Sequence, residues 1–119
     1  MKPSKTSLGI LGETLARRYL DKKKYNIVDH NFRCPLGEID LVVRKDKALR
    51  FIEVKYRSTP DYGLPQESVV RRKQHRIRNA AIVWLKRRRL PLDSEIHFDV
   101  VAITKQAGET KYEYIEDAF

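Results

Sequence analysis

Two carboxylates and an ammonium near the middle of the chain have the composition of a metal-binding phosphate site. They belong to Asp40, Glu53 and Lys55. Hard divalent cations such as Mg²⁺ or Mn²⁺ prefer oxygen ligands, commonly one or two carboxylates together with water and substrate phosphate oxygens. A bound ion lowers the pKa of its water, and a nearby ammonium can orient that water or stabilise the pentavalent state. These residue types therefore point to hydrolysis of a phosphodiester, provided that the fold brings them together.

An antiparallel hairpin is the element that would bring these side chains together. Residues 37–43 and 50–57 alternate apolar with charged residues at period two, which is typical of half-buried strands. The stretch between them, at residues 45–48, is short and polar enough to form the turn. We therefore expect two adjacent strands joined by a tight loop.

The register of that hairpin decides whether the charged residues meet. With residues 46 and 47 as the loop, Asp40 lies opposite Glu53 and Glu38 lies opposite Lys55, on one face of the sheet. A loop longer or shorter by one residue would shift the register and separate them. The other face would then carry the apolar residues Ile39, Leu41, Val43, Ile52 and Val54.

A second interpretation of the same pattern needs no catalysis. Opposite charges on neighbouring antiparallel strands commonly form a solvated network of cross-strand ion pairs. Spacing alone does not separate this arrangement from a metal site. The distribution of charge along the chain favours the metal site.

The chain is strongly basic, and its basicity is regional. It has 119 residues, 34% of them charged, and a net charge of +9, which makes a polyanion the expected partner. Residues 68–92 contain nine lysines and arginines and no acidic residue, so this segment accounts for the whole excess. A basic helix face beside the carboxylates would suit a phosphate backbone.

Other features of composition restrict the class of protein. The hydrophobic content of 41% and the length predict one domain, at residues 1–119. Cys34 is the only cysteine, which excludes an internal disulfide and favours a reducing, cytoplasmic location. No apolar run approaches the roughly 20 residues that span a bilayer, so no membrane partner is expected.

Periodicity predicts helix, three strands, helix and two strands, that is, an α/β fold with a mixed sheet. The first helix covers residues 8–22 and the second runs from about residue 67 to just before Pro91. A short strand at 25–28 precedes the hairpin, a loop at 58–65 follows it, and the last strands cover 95–103 and 111–115. The first helix would bury a stripe of Leu8, Leu11, Leu15, Ala16 and Tyr19.

The ordered motifs resemble a known family. The spacing of Asp40 and Glu53-Val54-Lys55 resembles the PD-(D/E)XK nuclease superfamily, although Ile39 replaces the proline of its name. More closely, the chain resembles the YraN family of small bacterial proteins, which is grouped by fold with archaeal Holliday-junction resolvases. That resemblance runs through Gly12-Glu13-Thr14-Leu15-Ala16, Asn31-Phe32-Arg33, Gly37-Glu38-Ile39-Asp40-Leu41-Val42, Phe51-Ile52-Glu53-Val54-Lys55-Tyr56-Arg57 and Phe98-Asp99-Val100-Val101.

The resemblance implies a restriction-endonuclease-like core and a set of roles. It makes Asp40 and Glu53 ligands of Mg²⁺ or Mn²⁺, with the Val54 carbonyl as a further ligand, and Lys55 the catalytic lysine. Glu13 would lie just outside the direct ligands and bind a water on the metal. Phosphate contacts would come from Arg33 and Arg57. The charge of the second helix adds further candidates for nucleic-acid binding: Arg71, Arg72 and Arg76 would follow the phosphate backbone electrostatically, and Lys73 and Gln74 would make a further active-site contact.

Three functions remain open at this point. The first is a metal-dependent endonuclease acting on DNA, including branched DNA. The second is a nucleic-acid-binding module that keeps the nuclease fold without turnover, and the third is a protein-binding scaffold with a basic face. By analogy with resolvases, a homodimer is expected, with Tyr112, Tyr114 and Phe119 as candidate interface residues.

Overall fold

A computed structural model of the chain describes residues 7–58 and 63–119. These residues form one five-stranded sheet with a helix on each face. The elements are α1 (Ser7–Lys22), β1 (Asn26–Cys34), β2 (Gly37–Lys45), β3 (Ala48–Arg57), a 3-10 turn (Pro65–Ser68), α2 (Arg71–Arg87), β4 (Ile96–Gln106) and β5 (Glu109–Ile115).

The strands lie in chain order across the sheet, and one pair is parallel. Strands β1, β2 and β3 form an antiparallel meander, and β4 pairs antiparallel with the edge strand β5. Because α2 carries the chain back across the sheet, β4 pairs parallel with β3. The predicted mixed α/β fold and its element order are therefore confirmed.

Several element boundaries differ from the prediction, and two of the differences change how the chain reaches the site. The first strand is longer than expected and reaches Cys34, with a register shift between Ile27 and Asp29. The second helix begins at Arg71, because the chain first makes a separate 3-10 turn and then an extended step at Val69 and Val70. Part of the predicted loop, residues 59–62, lies outside the described residues.

Each face of the sheet has its own core. On one face, Phe51 packs against the α2 side chain Trp84 with ring centroids 5.6 Å apart. The Trp84 indole also donates a 2.8 Å hydrogen bond to Asp29, which holds α2 over β1. On the other face, α1 packs on a smaller cluster that includes Ala16, Leu20, Leu41, Val43 and Ile52.

Ile39 departs from the predicted face. Leu41, Val43 and Ile52 lie in the α1 core as expected, but Ile39 belongs to the α2 core. The sheet is distorted at this point, since Asn31 in the adjacent strand has a φ of 52°. Strict alternation of side chains is not kept across such a distortion.

The buried face of α1 is rotated from the predicted stripe. Ala16 is buried as predicted, but Leu8 and Leu11 are exposed, and Gly12, Glu13 and Leu20 are buried instead. Gly12 faces the sheet, and a Cβ at this position would lie only 2.9 Å from the Cβ of Tyr56. The first turns of the helix therefore approach β3 too closely for a large side chain. Neither described helix is both long and apolar enough to cross a membrane.

Candidate active site

The hairpin register is the predicted one. Strand β2 ends at Lys45 and β3 begins at Ala48, and these two residues pair. The pairing continues along the hairpin to Leu41 and Ile52. One position further, Asp40 and Glu53 share a side-chain hydrogen bond. The backbone N–H of Val54 donates a 2.8 Å hydrogen bond to Asp40 Oδ2 and fixes that carboxylate. The two acidic groups thus converge on the α2 side of the sheet.

Glu53 is buried and unusually basic for a carboxylate. Only 6% of the Glu53 surface is exposed to solvent. Burial, and then the neighbouring charge and hydrogen bond of Asp40, raise the pKa of Glu53 to about 7, against the opposing effect of two lysines. Near neutral pH Glu53 is therefore protonated for part of the time.

Two ammonium groups contact the same oxygen of Glu53. The Nζ of Lys55, two residues along β3, lies 3.3 Å from Glu53 Oε2, and the Nζ of Lys73 from α2 contacts the same atom. Burial lowers the pKa of Lys55. The charge of Glu53 raises it and the charge of Lys73 lowers it again, and the net result is a pKa below the ordinary value. Burial also lowers the pKa of Lys73, but the charge and hydrogen bond of Glu53, together with Lys55 and Asp40, raise it by more, so that its pKa lies above the ordinary value.

These groups line one cavity of about 380 Å³ between the two helices. Gly37 allows α2 to approach, because a Cβ at this position would lie 2.5 Å from the backbone carbonyl oxygen of Arg76. Gly12 lets α1 close from the other side, against Tyr56. The two glycines therefore set the width of the site. The lining residues include Gly9, Gly12, Glu38, Asp40, Glu53, Val54, Lys55, Tyr56 and Lys73.

The donor set fits a hard divalent cation. Over residues 7–58 and 63–119, no group of three or more His, Cys, Asp or Glu side chains converges on one point. Two carboxylates with open coordination positions are nevertheless the usual protein contribution to Mg²⁺ sites, where water and phosphate supply the rest. Asp40 and Glu53 could hold such an ion, and Val54 borders the same cavity.

Glu13 is buried, but its described contacts are with β1. Its carboxylate oxygens accept 2.9 Å hydrogen bonds from the Asn31 amide, and Oε1 lies 3.4 Å from His30 Nδ1. The neighbouring Gly12 lines the cavity. Glu13 therefore joins α1 to the sheet at the border of the site, and its predicted role toward a metal stays a prediction.

Five of the seven predicted phosphate-binding residues fall into three groups. Arg57 lines a second cavity of about 590 Å³, and its Nη1 donates a 2.9 Å hydrogen bond to the Gly63 carbonyl. A third cavity of about 290 Å³ is lined by Arg72, Lys73 and Arg76. Arg33 instead forms an ion pair with Glu38, at 3.4 Å.

Arg71 and Gln74 are placed differently from the other residues of this set. Arg71 is exposed in the first turn of α2. The Gln74 side chain donates a 2.9 Å hydrogen bond to the Val69 carbonyl, so it stabilises the start of the helix. Its predicted contact with the active site is therefore not among its described contacts.

Several residues that border the site were not predicted from the sequence. Leu8 and Tyr56 line both the carboxylate cavity and the 590 Å³ cavity, and Lys105 of β4 lines the latter. The parallel pairing of Arg57 with Thr104 brings Lys105 near, and no local pattern indicates such a pairing. His30 and Asn31 contact Glu13, and only Asn31 lies in a stretch that the family resemblance covers.

The predicted interface residues are engaged within the chain. Tyr112 stacks on Tyr19, with ring centroids 4.8 Å apart. The Tyr114 hydroxyl donates to Asp99, and Phe119 stacks on Phe98 at 5.5 Å. A homodimer therefore stays a prediction without an assigned surface.

Comparison with known proteins agrees with the resemblance. The model of uncharacterised protein family UPF0102 matches residues 12–103. A UPF0102 protein of Geobacter sulfurreducens is 47% identical over 113 residues, covering 94% of this chain and 88% of the relative. Relatives from Clostridium perfringens and Syntrophomonas wolfei are 42% and 45% identical, with coverage of 100% and 94% of this chain and 98% and 96% of theirs. The chain therefore belongs to the UPF0102 family.

Proposed function

We propose that this protein is a metal-dependent endonuclease that hydrolyses phosphodiester bonds in DNA. The observation that carries the proposal is the hydrogen-bonded pair of Asp40 and Glu53, with the ammonium groups of Lys55 and Lys73 beside it in one cavity. A solvated network of surface ion pairs would not bury Glu53 to 6% exposure. The resemblance of the ordered motifs to PD-(D/E)XK nucleases supports the same function.

Each residue of the site has a physical task in this reaction. Asp40, oriented by the Val54 N–H, and Glu53 would hold Mg²⁺ or Mn²⁺ through carboxylate oxygens. Such an ion, when bound, supplies an acidified water and neutralises charge on the phosphate. Lys55 is fixed beside Glu53, and its ammonium can bind a phosphate oxygen and stabilise the charge that develops there.

The surroundings of the site support a nucleic acid as the substrate. Arg57, Arg72 and Arg76 line the cavities on either side, and residues 68–92 carry the excess positive charge. Clustered lysine and arginine side chains bind the phosphate backbone with little dependence on base sequence. The substrate proposed is therefore DNA, including branched DNA.

The direct test compares metal binding and cleavage in matched variants. We expect Asp40→Asn and Glu53→Gln to lower Mn²⁺ affinity at least about tenfold by calorimetry, because each removes a charged oxygen donor. Both should lose cleavage of linear and branched DNA in Mg²⁺ or Mn²⁺. Asp46→Asn is the control, since Asp46 is an exposed carboxylate in the hairpin loop. Equal cleavage by the wild type and an Asp40→Ala, Glu53→Ala double variant would refute this site.

A second candidate function is a nucleic-acid-binding module without turnover. The observation in its favour is that Glu53 Oε2 already contacts two ammonium groups, which neutralise the carboxylate without a metal. Salt-sensitive DNA binding by the wild type, with no uptake of Mn²⁺ in calorimetry, would support this function over the first.

A further inference from the structure

The carboxylate cavity adjoins two other cavities and shares lining residues with each of them. It shares Leu8, Lys55 and Tyr56 with the 590 Å³ cavity, here called the β3 cavity. It shares Glu38 and Lys73 with the 290 Å³ cavity, here called the α2 cavity. The β3 and α2 cavities share no described lining residue. The three adjoining cavities, with the acidic pair lining the middle one, are here called the groove.

The flanks of this groove are positively charged. The described lining residues of the three cavities include six cationic and three acidic side chains. Two of the acidic residues are the proposed metal ligands, and the third, Glu38, forms an ion pair with Arg33. The flanking cavities thus attract phosphate groups on both sides of the centre. The six cations are Lys55, Arg57, Lys105, Arg72, Lys73 and Arg76.

The same flanks also present apolar side chains to solvent. Leu8, 63% exposed, lines the β3 cavity beside Tyr56, and Val70, 59% exposed, lines the α2 cavity beside Ile77. A paired duplex keeps its bases stacked inside and offers phosphates and groove edges to a protein. Unpaired bases expose flat faces that stack on aromatic side chains such as Tyr56, and neighbouring aliphatic side chains can cover the rest of such a face.

We propose that the β3 and α2 cavities bind unpaired nucleotides on either side of the cleaved phosphate. The substrate strand is then single-stranded across the site, as in a flap, a gap or free single-stranded DNA. This inference rests on the proposed function for the position of the cleaved bond. The preference for unpaired nucleotides rests on the concave, partly apolar flanks, because contacts with a duplex backbone need only exposed cations.

The test measures binding without metal, so that it does not depend on cleavage. Fluorescence anisotropy in EDTA compares an oligothymidylate of about 20 nucleotides with a blunt duplex of the same length, at equal salt. We expect the wild type to bind the single strand roughly tenfold more tightly. Leu8→Glu and Val70→Glu should each weaken single-strand binding about tenfold and duplex binding much less.

Two control variants carry the same charge at equally exposed apolar positions outside the groove. Ile10 is 54% exposed and Leu92 is 58% exposed, and neither is among the described lining residues of the three cavities. Ile10→Glu and Leu92→Glu should change single-strand binding less than about twofold. Equal wild-type affinity for both DNAs, or equal losses in lining and control variants, would overturn the inference. Absence of metal uptake with the single-strand preference intact would refute only the nuclease.

Discussion

In the proposed nuclease, the Lys73 ammonium lies at the Glu53 oxygen that would bind the metal ion. Its ammonium contacts Glu53 Oε2, the oxygen that also lies 3.3 Å from Lys55. Because α2 supplies Lys73, this contact joins two elements that are distant in the chain. An incoming cation must displace the Lys73 ammonium before that oxygen can become a ligand.

Removal of Lys73 should therefore strengthen metal binding. We expect Lys73→Gln to raise Mn²⁺ affinity roughly 3- to 30-fold in calorimetry, since a positive charge beside the ligand is lost. Arg72→Gln is the matched control, because it removes the same charge from the neighbouring α2 cavity. Weaker metal binding by Lys73→Gln, or equal changes in both variants, would contradict the displacement.

The raised pKa of Glu53 makes stability depend on pH. The native pKa is about 7 because of burial and the nearby Asp40, whereas the ordinary value is 4.5. Between these two values the native state binds more protons than the unfolded state, so the free energy of unfolding falls as pH rises through this window. The stabilisation from protonated Glu53 is complete below the unfolded pKa and lost above the native one.

Glu53→Gln should remove this pH dependence. Without metal, the stability of the variant relative to the wild type should increase by on the order of 1–3 kcal/mol between pH 4.5 and pH 8. Urea unfolding at the two pH values measures it. Asp46→Asn, in the exposed hairpin loop, should show no comparable change. A relative stability that is the same at both pH values would contradict the assignment of the shift to Glu53.

At the scale of elements, the start of α2 is electrostatically unfavourable. Its first turn carries Arg71, Arg72 and Lys73 with no acidic residue, and its N-cap residue Val70 makes no capping hydrogen bond. Positive charges near a helix N-terminus oppose the helix dipole. The arrangement suits a helix whose first turn faces phosphates.

Reversal of one of these charges should improve stability at the expense of binding. We expect Arg71→Glu to stabilise the protein by about 0.5–1 kcal/mol in urea unfolding, and to weaken DNA binding in anisotropy. Lys86→Glu makes the same exchange in the last turn of the helix, where it should destabilise by a similar amount. Loss of stability in both variants would contradict the dipole argument.

At the scale of the whole molecule, Asp99 connects the strands on the face opposite the site. It is fully buried, and Arg50 Nη1 donates to both of its oxygens at 3.0 and 3.2 Å. The Tyr114 hydroxyl and the Asp117 N–H also donate to it, so β3, β4, β5 and the C-terminal residues meet at one carboxylate. Burial, and then Asp99 itself, raise the pKa of Tyr114, which keeps that hydroxyl a donor.

Loss of this charge should destabilise the fold without affecting the proposed metal site. We expect Asp99→Asn to cost about 3 kcal/mol in urea unfolding, because Arg50 is left without its partner. Tyr114→Phe should cost about 1 kcal/mol. Glu113→Gln, at an exposed position of β5, is the control. A loss no larger than the control, or a change in Mn²⁺ affinity of the folded variant, would contradict this role.

Local patterns in the sequence were enough to predict the strands of the sheet and the register of its central hairpin. Alternation at period two and a two-residue loop determine which residues of β2 and β3 are opposite each other, because pairing next to a tight turn depends only on nearby residues. The convergence of Asp40 and Glu53 follows from that register. The element order follows likewise from helical and strand periodicity.

Tertiary packing alone decided which further groups reach the acidic pair. The contact of Lys73 with Glu53 depends on how closely α2 approaches Gly37, and the placement of Glu13 beside Asn31 depends on the rotation of α1. An amphipathic pattern gives a helix an apolar side, but the backbone separation from its neighbour determines which residues fit beneath it. Sequence thus determined the pair of acids, and only the folded chain determined the charges around it.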